Sequence, residues 1–149
     1  MPYRYRDDLT VADIGFEAQG GTPEELFLSA WEATLRVMIE NPSAIERAVT
    51  RNITLEEPSL DLLLHNFLQE LIYHKDAEAL LLRIEQCRIE GIGENEGVKD
   101  PVRLEASAVG EAIDPGRHRL GTDVKAVTFH NFSLTSEHRG WKTTVVLDV

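Results

Sequence analysis

The stretch VADIGFEAQG, residues 11–20, has the pattern of a strand with an acid at its start. Ile14, Phe16 and Ala18 alternate with residues of the opposite face, which is typical of a half-buried strand. Asp13 comes directly before this alternation. Two interpretations are open: the carboxylate stabilises a turn or helix start as a local acceptor, or its oxygens bind a metal ion.

Two helices with apolar faces are predicted after this strand. Thr22 is the predicted N-cap of the first helix, and Glu25 completes a capping box with it. This helix ends at about Glu40, before an Asn-Pro pair. A second helix follows the Pro-Ser pair at residues 58–59. Its apolar residues recur at helical spacing: Leu60, Leu63, Leu64, Phe67, Leu68, Leu71 and Ile72.

Strands dominate the rest of the chain. β-Branched residues between 44 and 57 predict a strand that separates the two helices. Four further strand-like segments are ALLLRIEQCRIEG (79–91), VRLEASAVGEAID (102–114), VKAVTFHNFSLT (124–135) and WKTTVVLDV (141–149), the first two separated by the loop GENEGVKDP (93–101). The pattern predicts one α+β domain over residues 1–149, a two-layer fold in which the two main helices cover a largely antiparallel β-sheet.

The composition argues against a protein that grips nucleic acid directly. Asp and Glu number 26 and Lys and Arg 15, giving a formal net charge of −11, which repels phosphate backbones. Metal ions or a basic protein surface suit this charge better. The apolar run of about 20 residues needed for a membrane span is absent and the N-terminal residues are charged, so we expect a cytoplasmic protein. Cys87 is the single cysteine, which excludes an internal disulfide.

The end of the sequence predicts a metal site. If the last strand stays paired to its end, the terminal carboxylate of Val149 lies beside the Asp148 side chain. Two negative groups this close repel each other, and a hard divalent cation such as calcium relieves the repulsion by binding their oxygens. Asp13 is a third oxygen donor if its strand lies beside the last one. The predicted metal ligands are therefore Asp13, Asp148 and Val149.

Two basic residues in the segment VKAVTFH are candidates for contact with a partner or nucleotide. Lys125 shares a predicted strand face with Val127 and Phe129, where an ammonium is costly unless it reaches water or meets an anion. It either extends to solvent or joins the carboxylates, where it can pair with an acid or a phosphate. His130 lies in the same segment. With Glu111, it is also a candidate general base for an alternative function, a metal-dependent phosphodiesterase or phosphatase.

Four segments, in the same order, resemble the archease family. They are YRYRDDLTVADIGFEAQGGTPEELF (3–27), SLDLLLHNFLQELIYHKD (59–76), the block GEAIDPGRH (110–118) with VKAVTFH (124–130), and VVLDV (145–149). The resemblance departs from the family at two places. Thr10-Val11 stand where the family has His-Thr, and the second helix has Phe67, Gln69 and His74-Lys75 where the family usually has Trp, Asn and an apolar-acidic pair.

The resemblance implies a non-enzymatic accessory factor of an RtcB-type RNA ligase. Such a factor promotes guanylylation of the ligase's active-site histidine by GTP and sustains multiple turnovers, so that tRNA is reached only through the ligase. It also implies that Asp13 and Asp148 are metal-associated, that Val149 completes the site, and that Lys125 is the functional lysine. A chaperone-like binding module without metal is a further alternative.

Overall fold

The computed structural model describes residues 2–10, 12–92 and 101–149. The strands and helices of this part of the chain are β1 (Tyr3–Tyr5), β2 (Ile14–Gly20), α1 (Pro23–Met38), β3 (Val49–Glu57), α2 (Leu60–Glu78), β4 (Leu80–Glu90), β5 (Val102–Ala112), β6 (Ala126–Glu137) and β7 (Gly140–Asp148). Most of the predicted loop at 93–101 lies outside the described residues. Neither helix of the described chain is long and apolar enough to span a bilayer.

The seven strands form two sheets in which every pairing is antiparallel. The four-stranded sheet has the order β1-β2-β7-β6, and the three-stranded sheet has the order β3-β5-β4. The predicted α+β fold, with an antiparallel sheet covered by two helices, is confirmed. The division into two sheets was not predicted, because a period of two identifies the buried face of a strand and not its neighbour.

The first helix begins as its capping pattern predicts. The Thr22 hydroxyl accepts a hydrogen bond from the backbone N–H of Glu25 at 3.2 Å, and the Glu25 carboxylate accepts one from the N–H of Gly21 at 2.8 Å. The helix ends at Met38, two residues before the predicted end. Ile39 is extended there and forms a β-bridge with Leu120, so tertiary pairing ends the helix early.

Both helices contribute aromatic side chains to the core. The Trp31 and Phe67 ring centroids are 4.8 Å apart, and Phe27 lies 5.6 Å from Phe67. The Trp31 indole N–H donates to the carbonyl of Leu82 on β4 at 2.9 Å. Burying each of these side chains contributes about 2 kcal/mol to folding, so this junction fixes α1, α2 and β4 against one another.

One further predicted boundary is wrong, and one strand was missed. The strand expected from residue 44 begins at Val49, because Pro42–Ala44 form a short 3₁₀ helix and the backbone reaches the sheet only where the N–H of Ala48 donates to Gly110 at 2.9 Å. β1 was not predicted. It has three residues, two of them exposed, and such a short segment has too few residues to display a period.

Helix α2 closes the outer edge of β6. Val127 lies on this edge strand, and its carbonyl accepts from Nε2 of His65 at 2.8 Å. Its N–H donates to the side-chain oxygen of Gln69 at 2.6 Å. These two side chains satisfy backbone groups that an edge strand otherwise leaves open, and they hold the first half of β6 against α2.

Candidate functional site

The register of β2 and β7 brings the two predicted aspartates toward each other. Ile14 pairs with Leu147 at the end of an antiparallel ladder of seven residue pairs. Asp13 lies in the bend directly before β2, and extension of this register by one residue would place it opposite Asp148. Directly opposite residues have Cβ atoms about 5 Å apart in such ladders. The strand that follows Asp13 is therefore the neighbour of the last strand, as the metal-site prediction required.

Lys125 reaches the same sheet end from the other side. β6 pairs with β7, and Ala126 lies opposite Asp148. The N–H of Lys125 donates to the carbonyl of Asp148 at 2.8 Å. The chain segments that carry Asp13, Lys125, Asp148 and Val149 thus meet at one end of the four-stranded sheet, and we call these four residues the sheet-end cluster.

The charged groups of this cluster are available to a ligand. Asp13, Asp148 and Val149 are half-buried and Lys125 is exposed. Within residues 2–10, 12–92 and 101–149, no hydrogen bond or ion pair joins a side chain to the carboxylates of Asp13 and Asp148 or to the Lys125 ammonium. The backbone N–H of Asp13 donates to the hydroxyl of Thr10 at 3.4 Å, so the turn is stabilised by the threonine side chain.

The donor set of the cluster suits a hard cation. No three His, Cys, Asp or Glu side chains converge on a metal-binding position in the part of the chain that is described. Two aspartate side chains and a main-chain oxygen of Val149 are all oxygen donors, which calcium prefers to nitrogen or sulfur. Calcium takes six to eight such ligands. The cluster alone therefore supplies about half of a coordination shell and leaves positions for water or a partner.

A loop held by a buried glutamate carries Asp13. Glu17 on β2 is 4% exposed and lies among three cations: Arg6 at 2.9 Å, Arg4 at 3.4 Å and Lys142 at 3.5 Å. Burial alone would raise the pKa of Glu17, but Lys142 and the two arginines outweigh it and lower the pKa. Since Arg6 belongs to the β1–β2 loop, this ion-pair group fixes the loop that leads to Asp13.

The prediction that Lys125, Val127 and Phe129 share one strand face is only partly correct. Lys125 precedes the first residue of β6, Val127 is 4% exposed and points into the core, and Phe129 is 61% exposed. The alternation fails after Thr128 because the register of β6 against β7 shifts there. Lys125 is exposed, so its side chain reaches water, which is one of the two outcomes predicted for it.

The register shift is a bulge that sequence reasoning missed. Residues 129–132 have no partners in the ladder, and Asn131 has a positive φ of 54°. Phe129 stacks on His65 at a centroid distance of 4.0 Å, and the Asn131 side chain donates to the carbonyl of Leu9 at 3.1 Å. The bulge is thus made by tertiary contacts on both sides of the strand. Its only sequence signal is the Asn, which adopts positive φ more readily than most residues.

His130 lies on this bulge and not in the sheet-end cluster. It is exposed, its backbone N–H donates to the hydroxyl of Thr128 at 3.2 Å, and its Nε2 is 3.3 Å from the side-chain nitrogen of Asn131. Both contacts are to residues of the same strand. The side chain is free to meet a partner, and its predicted nearness to a nucleotide stays a prediction.

Glu111 is poorly suited to the role of general base. It lies on β5 of the three-stranded sheet, where its carboxylate accepts hydrogen bonds from Arg117, from the N–H of Glu46 at 2.6 Å and from Nε2 of His118 at 3.1 Å. The Arg117 guanidinium, followed by the Glu46 N–H, lowers the pKa of Glu111 to about 2. A carboxylate with this pKa is a weak proton acceptor at neutral pH.

Comparison with known proteins identifies relatives over nearly the whole chain. Residues 3–149 match the model of the Archease protein family (MTH1598/TM1083). "Protein archease" of Methanosarcina barkeri is 35% identical over 99% of this chain and 95% of its own length, and "Protein archease" of Pyrococcus abyssi is 34% identical over 93% and 94%. The solution structure of a Methanobacterium thermoautotrophicum protein superposes with a TM-score of 0.81 at 31% identity, covering 99% of both chains.

Proposed function

Because the chain belongs to the Archease protein family, we propose that it is an accessory factor that activates an RtcB-type RNA ligase in the cytoplasm. In this role it promotes guanylylation of the ligase, in which the active-site histidine forms a bond to the α-phosphorus of GTP and pyrophosphate leaves. The chain itself carries out no bond change. It allows each ligase molecule to complete many cycles of joining tRNA-type RNA ends.

The observation that carries this proposal is the meeting of β2, β7 and the start of β6 at one sheet end. Continuation of the Ile14–Leu147 register would bring Asp13 opposite Asp148, and the bond from the Lys125 N–H to the Asp148 carbonyl supports a place for the lysine at the same sheet end. Two carboxylates opposite each other, without side-chain partners in the described chain, would be a costly arrangement for stability alone. Such an arrangement is typical of a site that meets a ligand.

We infer that Asp13, Asp148 and a main-chain oxygen of Val149 hold a divalent cation, most simply calcium. When bound, the cation would neutralise the two aspartates and offer free coordination positions to phosphate or carboxylate oxygens. Without it, the aspartates repel the triphosphate of GTP. Metal binding therefore decides whether this tip of an acidic protein can approach a nucleotide site.

The role proposed for Lys125 is to contact a phosphate in the ligase active site. Its backbone N–H is fixed on Asp148 while its side chain extends into solvent. A compact ammonium on a flexible stem binds phosphate oxygens as a point charge. It can orient the leaving pyrophosphate or the α-phosphate toward the ligase histidine. His130, exposed on the bulge of the same strand, extends the contact surface.

The net charge of −11 constrains the surface charge of the partner. Charge complementarity favours a basic surface, which an RNA ligase needs for its own substrate. Direct binding of RNA to the accessory factor is disfavoured by the same charge. We therefore propose that the factor contacts tRNA only through the ligase.

The test is a turnover assay with limiting ligase, GTP and an RNA with tRNA-type ends. The unmodified protein is expected to raise the product formed per ligase above one, and Asp148→Ala is expected to abolish the gain. The matched control is Glu137→Ala, which removes one negative charge from the opposite end of the same sheet, where Glu137 pairs with Gly140. No gain with the unmodified protein contradicts the proposal.

The same protein preparation tests the alternative function, a metal-dependent phosphodiesterase or phosphatase. Incubation of the protein alone with model phosphodiesters and calcium, magnesium or manganese is expected to give no hydrolysis. Hydrolysis that Asp148→Ala removes would instead support a metal-dependent phosphodiesterase.

A further inference from the structure

Lys75, near the end of α2, is a buried cation whose contacts reach the sheet-end cluster. Its side chain is 8% exposed. The ammonium donates to the carboxylate of Asp123 and to the carbonyl of Val124 at 2.9 Å, and it forms an ion pair with the carboxylate of Asp76 at 2.8 Å. Oxygens of three residues thus surround the buried ammonium, two of them as hydrogen-bond acceptors.

Two of these three residues belong to the segment that enters β6. Asp123 and Val124 directly precede Lys125, and Val124 is fully buried. The next backbone contact is the bond from the Lys125 N–H to the Asp148 carbonyl. The segment is thus held by the Lys75 side chain on one side and by the last strand on the other.

The segment has a further anchor upstream of these contacts. The N–H groups of Gly121 and Thr122 donate to the carbonyls of Met38 and Val37 at the end of α1, both at 2.8 Å. These bonds fix where the segment passes α1, four residues before Lys125. Between that anchor and the last strand, Lys75 supplies the side-chain hydrogen bonds to the segment in the described part of the chain.

We propose that Lys75 is a positioning residue for the ligase-activating site: by holding Asp123 and Val124 it fixes the start of β6 and thereby the place of Lys125 beside Asp148. This inference rests on the proposed function of the sheet-end cluster. Lys75 itself contacts neither nucleotide nor metal in this scheme. Its effect passes through the backbone of residues 123–125.

Stability alone does not explain a lysine at this position. Removing an ammonium from water is costly, and an apolar side chain of similar length would fill the same space without that cost. Burial by itself would lower the pKa of Lys75, but the hydrogen bonds to Asp123 and Asp76 outweigh it and raise the pKa, so the group is charged at neutral pH. The charged ammonium adds directional hydrogen bonds that fix the position of residues 123 and 124.

Asp123 and Asp76 offer a matched pair of variants. Both form ion pairs with Lys75, and both side chains are largely exposed, at 69% and 60%. Only Asp123 belongs to the segment, whereas Asp76 is the neighbour of Lys75 on α2. Asp123→Asn is expected to lower the maximal stimulation of ligase turnover by up to about tenfold, because the neutral amide oxygen accepts a weaker hydrogen bond from the Lys75 ammonium than the carboxylate does. Asp76→Asn is expected to leave the stimulation unchanged.

A second experiment separates positioning from general stability. Lys75→Met is measured in the unmodified protein and in the Lys125→Ala background, each at saturating concentration. If Lys75 acts through Lys125, Lys75→Met lowers stimulation in the first case and has no further effect in the second, because two residues that act through one group are not additive. If Lys75→Met lowers the stimulation by the same factor in both backgrounds, the proposal is overturned.

The outcomes distinguish this inference from the function it rests on. If the unmodified protein does not stimulate the ligase, the proposed function fails and the positioning role fails with it. If the unmodified protein stimulates and Asp123→Asn behaves like Asp76→Asn, the function stands and the positioning role is overturned. If circular dichroism shows that Lys75→Met does not fold, the comparison of Asp123→Asn with Asp76→Asn tests the positioning role on its own.

Discussion

Glu111 and Asp148 are acids near the ends of strands in different sheets, and their surroundings are opposite. The Glu111 carboxylate is bonded to Arg117, to a backbone N–H and to His118. The Asp148 carboxylate has no side-chain partner in the described chain, and Asp148 lies one residue beyond the Ile14–Leu147 pair. A fully bonded acid fixes its own surroundings, whereas an acid beside another acid has oxygens left for a ligand. The difference separates a structural acid from a candidate ligand.

The largest expected effect tests this contrast through stability. In EDTA, Glu111→Gln is expected to give the greatest loss of unfolding free energy among the acid substitutions considered, because it leaves Arg117 and His118 without their carboxylate. Asp148→Asn is expected to leave the unfolding free energy unchanged or raise it by up to about 1 kcal/mol, because it removes repulsion from Asp13. Urea unfolding of both variants measures the two effects. A loss for Asp148→Asn as large as that for Glu111→Gln would break the contrast.

Calcium should act on one of these acids and not on the other. A ligand at a hundredfold excess over its Kd stabilises the folded state by about 2.7 kcal/mol, which for a chain of this size raises the Tm by roughly 5–10 °C. Glu111→Gln should keep this calcium-dependent rise, while Asp13→Asn and Asp148→Asn should lose most of it. Thermal unfolding in calcium and in EDTA gives the comparison. An equal rise in the Asp148→Asn variant would show that any bound calcium lies elsewhere.

The pH dependence of stability tests whether Glu111 is the structural acid of this comparison. The pKa of Glu111 is about 2 in the folded protein and 4.5 as a free side chain. Above pH 4.5 both states are ionised and the stabilisation by Arg117 is fully present. Below it the unfolded state takes up the proton first, so the stabilisation is lost as the pH falls toward about 2. The difference in unfolding free energy between the unmodified protein and Glu111→Gln should therefore close over this range. A difference independent of pH would contradict the assignment.

The sequence predicted the unpaired acids more readily than the paired one. Alternation in WKTTVVLDV and in the strand after Asp13 identified two strands, and these strands are antiparallel neighbours whose ladder ends at the Ile14–Leu147 pair. The alternation is a property of each strand and is visible locally, whereas the adjacency of β2 and β7 stood in the sequence only as a condition of the metal-site prediction. The partners of Glu111 come from a turn and a backbone N–H 65 residues away, and no local pattern encodes such contacts.

The same reasoning explains the other features that were missed. The two-sheet arrangement depends on which strands become neighbours, and alternation does not specify this. The bulge at residues 129–132 depends on Phe129 stacking against α2 and on Asn131 reaching Leu9. Lys75 was visible in the sequence as a departure from the family pattern, but its acceptors lie 48 and 49 residues further along the chain. Features that arise from one strand or helix were predictable, and those that need two distant segments were not.

The smallest expected effect concerns an acid that combines both situations. Glu17 is bonded to three cations, as a structural acid is, yet one of them, Arg6, holds the loop that carries Asp13. Glu17→Gln should therefore weaken calcium binding only indirectly, by about 0.5 kcal/mol or about twofold in Kd, since Asp13 keeps its carboxylate and loses only part of its support. Calorimetric titration with calcium measures the change, with Glu137→Gln as the control for lost charge. A loss of tenfold or more would mean that Glu17 takes part in the site, and the division between bonded and unbonded acids would no longer identify the ligands.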